Sequence, residues 1–228
     1  MNIYRRLSII LFVLAAAFSG CETGETCDIV SSAIRVNYEV IDQGSGQTAR
    51  AQFMYKGTSL ELGDCGDSIK VNGETLERVS GEYPVTYSAD VEPDDDGEFE
   101  FVFDRSGDGP FSSVTTVPPS FNIDTPSEGS RLSRKDGFEI EWTDGSDYDM
   151  HFQIEGDCVW DYSESTSDEG YFFIEPDEIE ATVNDEDESC DAHLVMFRRM
   201  FGEVDPVFDE GSSIEGRSQD SLNFKSIP

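Results

Sequence analysis

Ile34-Arg35-Val36-Asn37-Tyr38-Glu39-Val40-Ile41 is the stretch that sets the fold class: apolar Ile34, Val36, Tyr38 and Val40 alternate with Arg35, Asn37 and Glu39. Alternation of period two puts one set of side chains on each face of an extended chain, so a half-buried β-strand is expected here. A Gly/Ser turn at Gln43–Gln47 leads to a returning strand at Ala49–Tyr55 and a short one at Ser59–Leu62. In Ile69-Lys70-Val71-Asn72-Gly73-Glu74-Thr75-Leu76 the Asn-Gly pair marks a tight hairpin, because both turn positions require φ > 0. Tyr83, Val85 and Tyr87 continue the alternation, Phe99, Phe101 and Phe103 repeat it beyond a turn at Pro93–Gly97, and Val114–Val117 closes the unit. Seven short runs in about ninety residues, without a helical stripe, are expected to form a β-sandwich over residues 29–117.

Pro118-Pro119 reads as a linker, since neither residue donates to a sheet ladder and both stiffen the chain. A second β-sandwich is expected over 120–228. Its runs are Phe121–Ile123, Phe138–Trp142, Met150–Ile154, Tyr171–Ile174, Ala181–Val183, His193–Met200 and Leu222–Lys225, with Gly-, Asp- and Ser-rich turns between them. Phe138, Ile140 and Trp142 share one face and Glu139 and Glu141 the other, which places Trp142 in the core rather than on a ligand platform. The expected fold class is therefore all-β, with two tandem sandwiches.

The first twenty residues carry a different message. Arg5 and Arg6, the apolar run Leu7–Phe18 and the small residues before Cys21 have the form of a secretory signal peptide. The run is about half of the ~20 residues that a spanning helix needs. Ser19-Gly20-Cys21 resembles the lipobox of bacterial lipoproteins. That resemblance implies cleavage before Cys21, a diacylglycerol on its sulfur and an acyl chain such as palmitate on its freed amine. Residues 21–28 are then a lipidated polar tether. Glu22 at the second mature position, by the same resemblance, favours the outer over the inner membrane of the cell envelope.

Export also frames the other cysteines. With Cys21 lipidated, Cys27, Cys65, Cys158 and Cys190 remain in a compartment where disulfides persist, and three pairings are open. Two lie early and two late, so Cys27–Cys65 and Cys158–Cys190 are the expected bonds. Thiolate metal binding has no CxxC spacing to support it. Removal of residues 1–20 takes Arg5 and Arg6 from the 15 basic residues and no acid, leaving 13 against 49 and a formal charge of −36. Such a surface repels nucleic acid and anionic head groups. The 37% hydrophobic content and sixteen Phe argue against disorder, so the acids form a skin on a folded chain.

Pro126-x-x-Gly129, Ser133-Arg134, Gly137-Phe138-x-Ile140-x-Trp142, Gly156-x-Cys158 and the later Cys190 resemble fibronectin type III or immunoglobulin-like modules of bacterial lipoproteins. The tail from Gly202-x-Val204-Asp205-Pro206 to Pro228 is similar to the ends of such chains. Trp160, two residues after Cys158, departs from the immunoglobulin spacing, in which the Trp lies well inside the cysteine interval. What the resemblance implies is architecture and location.

No GxSxG, HExxH, Walker or GxGxxG pattern occurs. The two histidines, His151 and His193, each sit inside a strand-like run, where a structural or surface role is the ordinary one. Carboxylates cluster in three turns, at Glu92–Glu98, Asp144–Asp149 and Asp185–Glu188. Hard oxygen ligands suit Ca²⁺, so Asp94, Asp96, Glu98, Asp185 and Asp187 are candidate weak ligands. An EF-hand is rejected, because Phe103 stands at position 12 and the flanks read as strands. Two functional classes follow. One is a non-catalytic envelope module that binds a protein or carbohydrate, or acts as a spacer, and meets the membrane through its lipid. The other is a carboxylate-based hydrolase, for which a cleft lined by two acids and by Trp160, Tyr162 and Tyr171 is the discriminating feature; exposed aromatics on a flat sheet favour binding. No catalytic residue is assigned and no cofactor beyond Ca²⁺ is implied.

Overall fold

The computed structural model describes residues 23–143, 147–182 and 188–228, so Cys21, Asp185 and Asp187 lie outside the described residues. The chain is all-β. Before the proline pair run β1 (Gly24–Glu25), β2 (Arg35–Asp42), β3 (Gln47–Tyr55), β4 (Thr58–Glu61), β5 (Ser68–Val71), β6 (Glu74–Thr75), β7 (Glu77–Arg78), β8 (Thr86–Val91), β9 (Glu98–Asp104) and β10 (Phe111–Thr116). After it run β11 (Ile123–Thr125), β12 (Arg131–Ser133), β13 (Phe138–Trp142), β14 (Asp149–Gly156), β15 (Val159–Ser167), β16 (Tyr171–Ile174), β17 (Cys190–Phe201) and β18 (Ser213–Ile227).

One long sheet runs through both halves in the order β1-β4-β3-β2-β18-β17-β14-β15, with β7, β8 and β12 attached beside that path. A four-stranded sheet, β10-β9-β5-β6, covers its first half, and a three-stranded sheet, β11-β13-β16, covers its second. Alternation puts Val36, Tyr38, Ala49, Ala51 and Phe53 of the long sheet against Phe99, Phe101 and Phe103 of β9. Tyr38 stacks on Phe101 with ring centres 4.7 Å apart, and Phe53 meets Phe103 at 4.8 Å. In the second core Ile140 and Trp142 face Phe152, Ile154, Leu194 and Met196. The hairpin at Asn72-Gly73 has φ of 48° and 91°, the left-handed turn that its sequence requires.

The chain does not divide at Pro118-Pro119 into two consecutive blocks. Val204, Val207, Phe208 and Ile214 return to the first core, where Phe208 lies 5.6 Å from Phe111 and 6.1 Å from Phe103. Strand β18 then serves both units: residues 213–218 pair in parallel with β2, while residues 215–226 pair antiparallel with β17. Ile214 is buried in the first core, Leu222 and Phe224 in the second. The segment between β17 and β18, whose sequence is similar to the tails of bacterial lipoproteins, is thus part of the first core. The expected tether 21–28 is also docked from residue 24, since β1 pairs with β4 and Cys27 is bonded to Cys65. The second disulfide joins Cys158 to Cys190.

The junction depends on two glycines. A Cβ at Gly202 stands 2.1 Å from the Val114 carbonyl oxygen, and one at Gly216 stands 2.0 Å from that of Thr116. Only glycine lets β17 and β18 pass this close under the end of β10. Arg198 supplies the polar counterpart. Buried at 2% exposure, it pairs with Asp168 at 2.8 Å and donates to the carbonyls of Pro119 and Thr143, while Trp142 Nε1 donates to Asp168 Oδ1 at 2.7 Å.

Two outcomes are expected. Gly216→Ala forces a backbone shift and lowers stability by ~1–3 kcal/mol in urea unfolding, whereas an unchanged midpoint contradicts the close approach. Asp168→Ala strands the buried Arg198 guanidinium and costs about 3–5 kcal/mol by the same measurement; a loss under about 1 kcal/mol means that the pair is not desolvated as described.

Candidate binding surfaces

Of the expected calcium ligands, Asp94, Asp96 and Glu98 lie in one turn, and that turn accounts for Asp94. Its carboxylate Oδ1 accepts the backbone N–H groups of Asp96 at 3.0 Å and Glu98 at 2.8 Å. Gly97, at φ 82°, completes the reversal. Among the described residues the one group of three acid, thiol or imidazole side chains within mutual reach is Cys27, Cys65 and Asp67. Its two sulfurs are bonded to each other, and the Asp67 carboxylate accepts the Thr26 hydroxyl at 2.7 Å. Asp94, Asp96 and Glu98 are thus not gathered into a chelate.

A concavity of about 710 Å³ opens at the loop end of the first unit between the β2–β3, β5–β6 and β8–β9 turns. Gln43, Gln47, Asn72, Glu74, Asp90 and Asp94 line it. Asn72 is fixed by three hydrogen bonds, donating to the carbonyls of Glu92 and Glu98 and accepting from Glu100 N–H. None of the described lining residues is aromatic, basic or histidine. The aromatics named as hydrolase markers lie in the other unit. Trp160 of β15 is 55% exposed and Tyr171 of β16 is 47% exposed. Tyr162 instead packs beside Phe152, and its hydroxyl donates to Glu178 at 2.8 Å. Burial, then the Glu178 carboxylate, pushes that phenol well above its ordinary range.

The outward face of the long sheet carries a feature that the linear pattern did not disclose. Pairing aligns Ser165, His151, Phe197 and Gln219 across β15, β14, β17 and β18, and puts Arg199 opposite Arg217 in the adjacent row. The Arg217 guanidinium lies 4.8 Å over Phe197, whose ring stacks on His151 at 5.1 Å; Arg199 lies 5.2 Å over Phe201, which is 63% exposed. Arg217 also pairs with Glu39 of β2 at 3.2 Å, and Arg50 of β3 with Glu82 at 2.8 Å. The result is an arginine–aromatic band with its charges balanced by carboxylates. In sequence its only trace is the bulky outward set of β17, Phe197, Arg199 and Phe201, on a strand whose inward face is already filled. The second histidine, His193, is placed on the same strand, with Nδ1 3.1 Å from Asn223 Oδ1.

No protein-family model matches the chain, and no curated protein matches it in sequence. Among solved structures it is similar to the fibronectin(III)-like modules of CbhA from Clostridium thermocellum, at 10% identity over 85% of this chain and 93% of that one, with a TM-score of 0.27.

His151 gives this face a pH dependence. Partial burial, then the Arg199 cation, lowers its imidazole from the ordinary 6.5, against the opposing pull of Asp149. The unfolded chain therefore takes up the proton first, so the contribution is complete above pH 6.5 and is lost as pH falls through the window below it. His151→Gln is expected to flatten the stability–pH curve between about pH 7 and about pH 5 relative to the native chain, read by urea unfolding; parallel curves refute the shift.

Proposed function

We propose that this chain is a non-catalytic lipoprotein of the cell envelope, exported and anchored through Cys21, that acts as a binding or spacer module for an envelope protein or carbohydrate. The observation that carries the reading is the separation of parts: the acid-lined concavity belongs to the first unit, while exposed Trp160 and Tyr171 belong to strands of the second. A carboxylate hydrolase needs its acids and its substrate-stacking aromatics around one cleft. Aromatics presented on open strands suit contact with a partner surface. Export is supported by Arg5, Arg6 and the Leu7–Phe18 run, anchoring by Ser19-Gly20-Cys21, and an oxidising compartment by the two disulfides. The outer membrane is the preferred location, through Glu22. The shared strand β18 also makes the two units a stiff body, as a spacer requires.

Expression of the full chain in a bacterium fed an alkyne fatty acid is expected to label it and send it to the membrane fraction, and Cys21→Ser to abolish both. Binding is checked by co-sedimentation of the native chain with purified envelope polysaccharide and by cross-linking in cells, each repeated with Trp160→Ala. Release of reducing sugar by the native chain, lost on neutralising Glu74 and Asp90 together, favours the hydrolase instead.

A further inference from the structure

We infer that the β1 edge of the long sheet is held against the lipid surface and that the β15 edge is the one presented away from it; the inference rests on the anchoring of Cys21 proposed above. The lipid-bearing residue has almost no slack. Only Glu22 and Thr23 separate Cys21 from β1, and at ~3.3–3.6 Å per residue these three steps reach ~10 Å. Thr23 is itself held, its hydroxyl donating to Glu61 Oε1 at 3.0 Å.

From Gly24 onward the chain is fastened to the first unit by four independent means. Gly24 and Glu25 pair in parallel with Leu60 and Glu61 of β4. Cys27 is bonded to Cys65. The Thr26 hydroxyl donates to Asp67, and Arg105 donates to the carbonyls of Thr26, at 2.8 Å, and of Ile29. Arg105 is only 9% exposed and lies 3.7 Å from Asp67, so this clamp is sheltered from solvent. A lipid at Cys21 therefore brings the β1–β4 neighbourhood to the bilayer rather than letting the body float on a flexible leash.

Sheet order then sets what lies farthest away. β1 and β15 terminate the path at opposite ends, seven strand spacings apart. At ~4.8 Å each, that is ~34 Å along the sheet. A formal charge of −36 on the mature chain opposes lying flat on an anionic leaflet, so repulsion swings the far edge outward as far as the short anchor permits. The edge so presented is β15, which carries exposed Trp160. Tyr83 marks the other end: it is 56% exposed, and the N–H of Val85, two residues on, donates at 2.8 Å to Ser59 Oγ on β4, the strand beside β1.

Fluorescence quenching by a head-group nitroxide lipid tests this. The full lipidated chain is reconstituted in phosphatidylcholine–phosphatidylglycerol vesicles, as the native protein and as the Tyr83→Trp, Trp160→Phe double variant. Trp142, buried and bonded to Asp168, contributes the same background to both. The double variant is expected to be quenched about twofold more than the native chain, since ~30 Å separates the two positions from each other across the sheet. A spacer of about twelve Gly/Ser residues between Glu22 and Thr23 is expected to remove that excess. If the native chain floats with the vesicles but both probes are quenched alike, or the spacer changes nothing, the orientation is wrong and the anchor stands. If the native chain does not float, the anchor reading falls and the orientation falls with it.

Discussion

The fold turns on a steric constraint at one crossing. β17 and β18 must pass beneath the end of β10 with almost no space, and they do so at Gly202 and Gly216, where any side chain meets a backbone carbonyl. Because the crossing is that close, β18 can leave β2 in the first unit and continue beside β17 into the second without a break in hydrogen bonding. One strand then contributes Ile214 to one core and Leu222 and Phe224 to the other. Neither core is complete without a C-terminal segment that crosses the junction. Unfolding of the two halves is therefore expected to be coupled, unlike that of modules joined only by a linker.

Charge is distributed with a similar economy. A chain with so few cations buries Arg134 and Arg198, and shelters the side chain of Arg105, at structural joints. Arg105 clamps the N-terminal segment, Arg198 the segment after Pro119, and Arg134 donates to Ser226 Oγ and to the Glu188 carbonyl near the Cys158–Cys190 bond. Guanidinium is suited to this, because its planar fork satisfies several carbonyls and a carboxylate at once and keeps its charge. With those cations inside, the solvent face keeps nearly all of its acids and little to neutralise them. In the outward band of Arg50, Arg199 and Arg217, Glu39 of β2, Glu215 of β18 and Glu82 sit among the guanidinium groups, and elsewhere on the surface Arg78 pairs with Glu61.

Alternation made the layered all-β class legible, because each of β2, β9 and β13 carries a full apolar set on one face. It also placed Trp142 inward, where the structure buries it. It failed where burial is one-sided or discontinuous. β15, with the sequence Val159-Trp160-Asp161-Tyr162-Ser163-Glu164-Ser165-Thr166-Ser167, is an outer strand whose exposure removes the selective pattern. Strand β8 begins at Thr86 rather than Tyr83, after the cis Tyr83-Pro84 bond. The return of Val204, Val207 and Phe208 to the first core is a contact across about ninety residues, and no local period reports such a contact. For the surfaces the limit is sharper. Glu74 and Asp90 become neighbours around one concavity, and Phe197 and Arg217 become a stacked pair, only after register is set.

That dependence on register also bears on how the acid-rich turns should be weighed. A run such as Glu92-Pro93-Asp94-Asp95-Asp96-Gly97-Glu98 looks like a ligand set because it is dense, yet density along the chain says little about convergence in space. Here the first Asp turns its carboxylate onto two amides of its own loop, which shapes the reversal between β8 and β9. A carboxylate so used has less capacity left for an ion, and its neighbours Asp95, Asp96 and Glu98 are exposed to water, where hydration competes with any single chelating contact. The Asn72 side chain does comparable work one turn away, tying the β5–β6 hairpin to the strands beside it. Polar residues at this end of the first unit thus hold loops in place, and the concavity they leave has fixed walls before any ligand arrives. For the binding role proposed above, a wall held in this way would lower the entropic cost of recognition.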